Sequence, residues 1–130
     1  MAVIQPQEIS STSSGSGLAT GYRIIKWTPV TEADSCQSAA CGGYANKSIH
    51  VTGTFGSTTV TVQGSNEPMT VTDANATFAG LRNSTHTAIS MTATAVEEIL
   101  ENTVRIRPVL TSGSGVSVTV WLLIQTSARR

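Results

Sequence analysis

From Ser48 to Asn66 the chain reads Ser-Ile-His-Val-Thr-Gly-Thr-Phe-Gly-Ser-Thr-Thr-Val-Thr-Val-Gln-Gly-Ser-Asn, with apolar and polar residues alternating on both sides of a Gly-Ser turn. A period of two puts alternate side chains on opposite faces of a strand, so the pattern predicts a β-hairpin with one buried face. Ile49, Val51 and Phe55, with Gly53 between them, share that face, and Val60 and Val62 continue it on the returning strand. The opposite face holds His50, Thr52, Thr54, Thr59, Thr61 and Gln63 and is almost uncharged. Exposed sheets ordinarily carry charge that opposes edge pairing. A threonine face therefore predicts a sheet that is itself covered, by another protein.

The same reading extends along the chain. Tyr22 to Thr28 is a strand closed by Pro29, which lacks the amide that a ladder needs. Strands are expected at about 46–55 and 58–64, at Met69 to Thr72 and at Thr85 to Thr92, with turn clusters between them. Thr103 to Leu110 and Val116 to Gln125 flank Thr-Ser-Gly-Ser-Gly as a second hairpin, in which Pro108 belongs at an edge or with its nitrogen turned away from the partner. Val116, Val118, Val120, Leu122 and Ile124 alternate, but Trp121 and Leu123 lie opposite them, so the last strand is expected to be buried on both faces near its end. One of those faces suits a subunit contact. Ala95 to Asn102 is the sole helical pattern, one or two turns with Val96, Ile99 and Leu100 on one side, and is short enough to be a loop. Six to eight short strands with almost no helix predict an all-β fold, an antiparallel sandwich or jelly-roll-like arrangement with no parallel sheet. Residues 1–21 include a Ser/Gly tract and are expected to form an extended or flexible N-terminal arm, leaving 22–130 as a single β-sandwich domain.

The 130 residues suffice for one core without staples. Charged residues make up only 12% of the chain, about half of the ordinary share, and the formal net charge is zero. No general attraction to nucleic acid or an anionic membrane follows from that balance. The longest apolar run, Val120 to Ile124, is too short to span a bilayer, and the first residues show no basic region followed by an apolar core. A chain so poor in charge is badly equipped to stay a free monomer, which points to an assembly.

Chemistry-bearing residues are few. His50 and His86 stand in no spaced motif that supplies a carboxylate and a nucleophile. Glu97, Glu98 and Glu101 alternate with an apolar stripe as a solvated face does. No catalytic residue, cofactor site or metal site is expected. Cys36 and Cys41 cannot make a four-ligand zinc site alone, and two states stay open for them: a possible disulfide closing a short loop, or two free thiols. The Asn-X-Ser/Thr matches at Asn46, Asn75 and Asn83 arise easily in so Ser/Thr-rich a chain. The candidate interface residues are Ile4, Ile9 and Leu18 in the arm, with Trp27, Trp121, Leu123, Arg105 and Arg107 in the domain. Either tryptophan could instead serve as a sugar-stacking platform.

Val51-Thr-Gly-Thr-Phe-Gly-Ser-Thr-Thr-Val-Thr-Val-Gln-Gly-Ser-Asn66, then Val71-Thr-Asp-Ala-Asn75, then Glu101-Asn-Thr-Val-Arg-Ile-Arg-Pro-Val-Leu-Thr-Ser-Gly-Ser-Gly115 and Val118-Thr-Val-Trp-Leu-Leu-Ile124, together resemble small structural proteins of tailed bacteriophages. The likeness spans about 50–124 in order. It departs from that pattern around Pro68 and Met69, where an aromatic residue is expected, and in the cysteine loop. The resemblance implies a non-enzymatic virion component made in the host cytoplasm, a head decoration or cement protein on the capsid surface. Its implied partners are the major capsid protein and further copies of itself, as a homotrimer. A tail-associated or carbohydrate-binding virion module is the alternative.

Overall fold

The computed structural model describes residues 2–12 and 21–125. Among them run twelve strands: β1 (Val3–Ile4), β2 (Gln7–Thr12), β3 (Tyr22–Val30), β4 (Ser35–Cys36), β5 (Ala39–Ala40), β6 (Asn46–Thr54), β7 (Val60–Ser65), β8 (Ala79–Gly80), β9 (Ser90–Met91), β10 (Ala95–Glu98), β11 (Arg105–Leu110) and β12 (Ser117–Gln125). One antiparallel sheet has the order β10-β6-β12-β3-β2, and the other has β5-β11-β7-β8 with β9 also paired to β7. The fold is an all-β sandwich, as the alternation predicts.

The pairing of the strands differs from the sequence reading. β6 and β7 do not form a hairpin: β6 lies between β10 and β12, and β7 pairs with β11. β11 and β12 likewise belong to different sheets. Each supposed hairpin turn is a corner where the chain crosses from one sheet to the other, so β6–β7 and β12–β11 run together as one folded antiparallel ribbon, a jelly-roll-like device. An alternating run with a Gly turn looks the same whether its halves pair with each other or each finds a partner elsewhere. Here the two corners choose each other. The Ser114 amide donates to the Gly56 carbonyl at 2.9 Å, the Thr58 hydroxyl to the Thr111 carbonyl at 2.7 Å, and the Thr59 amide to the Thr111 hydroxyl at 2.9 Å. Gly56 is left-handed (φ +52), and a Cβ on it would stand 2.1 Å from the Ser114 oxygen.

The core between the sheets is filled by the inward residues of the alternation. Ile25, Trp27, Ile49, Val51, Val118, Val120, Leu122 and Ile124 on one sheet meet Val60, Val62 and Ile106 on the other, with Leu81, Ile89 and Met91 closing one side. Each contributes about 1.5–3 kcal/mol by leaving water, which is what holds two otherwise separate sheets together.

Other expectations change as well. The described part of the arm, residues 2–12, belongs to the domain: β2 is the edge strand beside β3, and β1 pairs in parallel with β4. That short parallel pair was not expected either. Ala95–Glu98 is a strand, not a helical turn, because the free edge of β6 offers it hydrogen bonds that a segment of four residues cannot make alone. Met69–Thr72 is a turn, with the Val71 amide on the Pro68 carbonyl at 2.9 Å. Of Thr85–Thr92 only Ser90–Met91 is strand, since the Asn83 side chain captures the Thr85 and Thr87 amides at 3.0 and 3.1 Å and holds a turn there. β3 continues through Pro29 to Val30 by way of a cis Thr28–Pro29 bond. Pro108 sits where β11 has outrun β5, which pairs only with Arg105 and Ile106.

Candidate interaction surface

The outer face of the β10-β6-β12-β3-β2 sheet is built by register. Val96, His50, Trp121 and Lys26 are successive cross-strand partners, and Glu98, Ser48, Leu123 and Ile24 form the next row. Period-two alternation sends Val118, Val120, Leu122 and Ile124 inward, so Trp121 and Leu123 must face out. Ile24, Ser48, His50, Val96, Trp121 and Leu123 line a shallow depression of about 260 Å³. Val96 is 61% exposed. The only charged members of the two rows are Lys26 and Glu98, and the Lys26 ammonium lies 5.0 Å from the centre of the Trp121 ring, where the ring face attracts a cation. Beyond the tryptophan the Thr28 and Thr119 hydroxyls join at 2.7 Å. The arrangement is an aromatic anchor set among aliphatic and small polar groups, the composition of an interface centre.

The outer face of the other sheet is covered by the chain itself at its Arg105 end, while Thr61, Gln63, Arg107 and Val109 stay part-exposed. Arg105 and Arg107 do share the outward face of β11, but Arg105 is wholly buried and serves no external contact. Its guanidinium donates to the Pro68 carbonyl at 3.0 Å, the Val71 carbonyl at 2.7 Å and the Ser38 hydroxyl at 3.1 Å, and forms an ion pair with Asp73. It thereby clamps the 68–73 excursion across the sheet. Arg107 lies 3.7 Å from the Phe78 ring centre and donates to Gln63 Oε1 at 3.0 and 3.1 Å. Burial pushes the Asp73 carboxyl upward in pKa, but the Ser38 hydroxyl and amide and the Arg105 guanidinium outweigh it, and the net shift is downward. Asp73 had no motif to mark it; only the fold brings it under Arg105.

The remaining candidates separate cleanly. Trp27 is a core residue, not an interface or stacking residue: it is fully buried, and its indole N–H donates to the Gln37 carbonyl at 2.8 Å. Trp121 and Leu123 lie part-exposed on the open face, so within the single chain β12 is buried on one face and not on both. Ile4 is half-buried against the core, Ile9 is 48% exposed, and Leu18 lies outside the described residues. Cys36 and Cys41 are buried free thiols, not a disulfide. Burial pushes Cys36 up to about 12 and Cys41 up to about 11, and the Cys41 thiol donates to the Thr103 carbonyl at 3.2 Å. His50 belongs to the open face, whereas His86 sits in the left-handed region of a turn (φ 67). Among the described residues no three His, Cys, Asp or Glu side chains converge as metal ligands, and no helix is long and apolar enough to cross a membrane.

No protein-family model and no curated protein matches the chain. Among solved structures it is similar to one described as cobalt(II) HppE in complex with Tris buffer, at 11% identity and a TM-score of 0.39, over 82% of this chain and 45% of that one. The chain thus spans less than half the length of that structure. Nothing of its chemistry carries over at that level of similarity.

Proposed function

We propose that the protein is a capsid decoration (cement) protein, a virion structural component that binds the assembled lattice of a major capsid protein and stabilises the head. The observation that carries this reading is the open, nearly uncharged sheet face centred on Trp121. It stands on a rigid sandwich whose sequence between 50 and 124 resembles small structural proteins of tailed phages. Such a face gives affinity by burying an aromatic anchor, with few charges to desolvate. A subunit that binds only the assembled lattice raises its stability by mass action, by about 2.7 kcal/mol when present at a hundredfold over its Kd. Trimerisation would multiply the attachment points.

Purified protein added to undecorated, expanded capsids is expected to sediment with them and to raise their melting temperature. Trp121→Glu, which leaves the core untouched, should abolish both effects. Binding to a glycan array with no affinity for capsids would replace the cement reading with the carbohydrate-binding one, in which Trp121 stacks on a sugar ring.

A further inference from the structure

Lys47 occupies an inward position of β6, in line with Ile49 and Val51, and is 3% exposed. Its ammonium has two oxygen partners, the Tyr44 carbonyl at 3.2 Å and the side-chain carbonyl Oδ1 of Asn102. The ion pairs of the described residues join Arg23 to Glu8, Arg82 to Glu101, and Arg105 and Arg107 to Asp73; Lys47 is in none of them. A buried ammonium held by neutral oxygens alone is costly. Burial also lowers its pKa, against the opposing influence of Cys41 and Glu101, which favours the neutral, nucleophilic amine. The contact is fixed from both sides. Lys47 is pinned in the ladder opposite Ile124, and the Ile99 amide donates to the Lys47 carbonyl at 3.0 Å, which lays the segment leading to Asn102 against β6.

We propose that Lys47 and Asn102 are an intramolecular isopeptide pair: in the folded protein Lys47 Nζ attacks Asn102 Cγ, an Nζ–Cγ amide forms, and the Cγ–Nδ2 bond breaks. Oδ1 is bonded to Cγ, so the electrophilic carbon lies one bond beyond the existing contact. The balance closes without any oxidant, reductant or co-reactant. The ammonium and the carboxamide become one secondary amide and one ammonium ion, with water carrying the protons from Nζ to Nδ2. Asn102 is exposed, so the leaving ammonium has a path to solvent. The reaction is favoured because it moves the buried charge into water. Held rigidly in place, the two groups also react as if at very high concentration. The product would tie β6 to the segment that carries the chain from β10 to β11, closing a loop across 55 residues. A cross-link of that span constrains the unfolded chain as a disulfide does, with no need for oxidising surroundings.

Intact-mass measurement of the folded, aged full chain, unfolded under reducing conditions just before analysis, tests this. The expected mass is the sequence mass less one ammonia, with a branched Lys47–Asn102 peptide after digestion. Lys47→Arg and Asn102→Ala should each return the full mass of the variant and melt below the wild type. A wild-type chain at full mass with an unbranched Lys47 peptide would overturn the proposal. So would an ammonia loss that persists in Lys47→Arg, since that marks cyclisation of an asparagine onto its own backbone. The wild-type measurement decides the matter even if a variant fails to fold, and it does so independently of what the Trp121 face binds.

Discussion

At the scale of single residues the molecule depends on a few polar groups placed where solvent cannot replace their partners. Arg105 is the clearest case, since its guanidinium satisfies two backbone carbonyls, a hydroxyl and a carboxylate at once. Arg105→Met leaves Asp73 half-buried with only the more distant Arg107 as a cation and should cost about 3 kcal/mol in a denaturant titration. The pH dependence follows from Asp73. Its folded pKa lies below the usual 3.8, so its contribution is fully present above about that pH and is lost as pH falls through the folded value. Wild type should therefore lose stability on acidification below pH 4 more steeply than Arg105→Met. The thiols give a second test: Cys36 and Cys41, raised by burial to about 12 and about 11, should resist alkylation in the native protein at pH 8 and react fully after unfolding. Rapid native labelling at either site would contradict their burial. Sequence made the pair Cys36 and Cys41 conspicuous but could not decide their state, because proximity along the chain says nothing of where the thiols point.

At the scale of elements the decisive feature is the pair of interlocked corners. Gly56 and Gly115 both have positive φ, yet a Cβ on Gly56 would collide with the Ser114 carbonyl whereas one on Gly115 would meet nothing within 4 Å. Gly115→Ala should thus cost about 1–2 kcal/mol for backbone conformation alone. Gly56→Ala adds a steric conflict with backbone that cannot yield, and should cost about 3 kcal/mol or more. Equal melting temperatures for the two variants would show that the corners do not lock each other. Strand positions were legible in the alternation of β6, β7, β11 and β12. Their partners were not, because a hydrogen-bonded neighbour is chosen by the whole chain while a hydrophobic period is local. The segment at Ala95 shows the same limit: its apolar spacing fits a short helix, and only the vacant edge of β6 makes it a strand.

For the whole molecule, the two sheets have unequal outer faces. One is covered at its Arg105 end by the chain's own 68–78 excursion through Arg105, Arg107 and Phe78, and the other carries the part-exposed Trp121. The two tryptophans divide in the same way. Trp27→Ala should cost about 3–5 kcal/mol of stability, since it empties the centre of the core. Trp121→Glu should leave the stability of the free protein within about 1 kcal/mol of wild type while, on the proposed function, abolishing binding to capsids. A loss of folding in the second variant would make Trp121 structural and remove the support for an interaction face. The threonine face of 48–66 had pointed to a covered sheet; the fold divides it, leaving His50 and Thr52 on the sheet of Trp121 and Thr59, Thr61 and Gln63 on the side of the other sheet.

The sequence by itself determined which side chains turn inward. Ile49, Val51, Val60, Val62, Val118, Val120, Leu122 and Ile124 are all buried as their alternation requires, because the pleat repeats every two residues whatever lies beside the strand. Tertiary structure alone decided which strands pair, which of two arginines on one face is sealed from water, and that Lys47 meets Asn102. Those contacts join residues tens of positions apart, and each depends on the closing of both sheets at once rather than on any local preference.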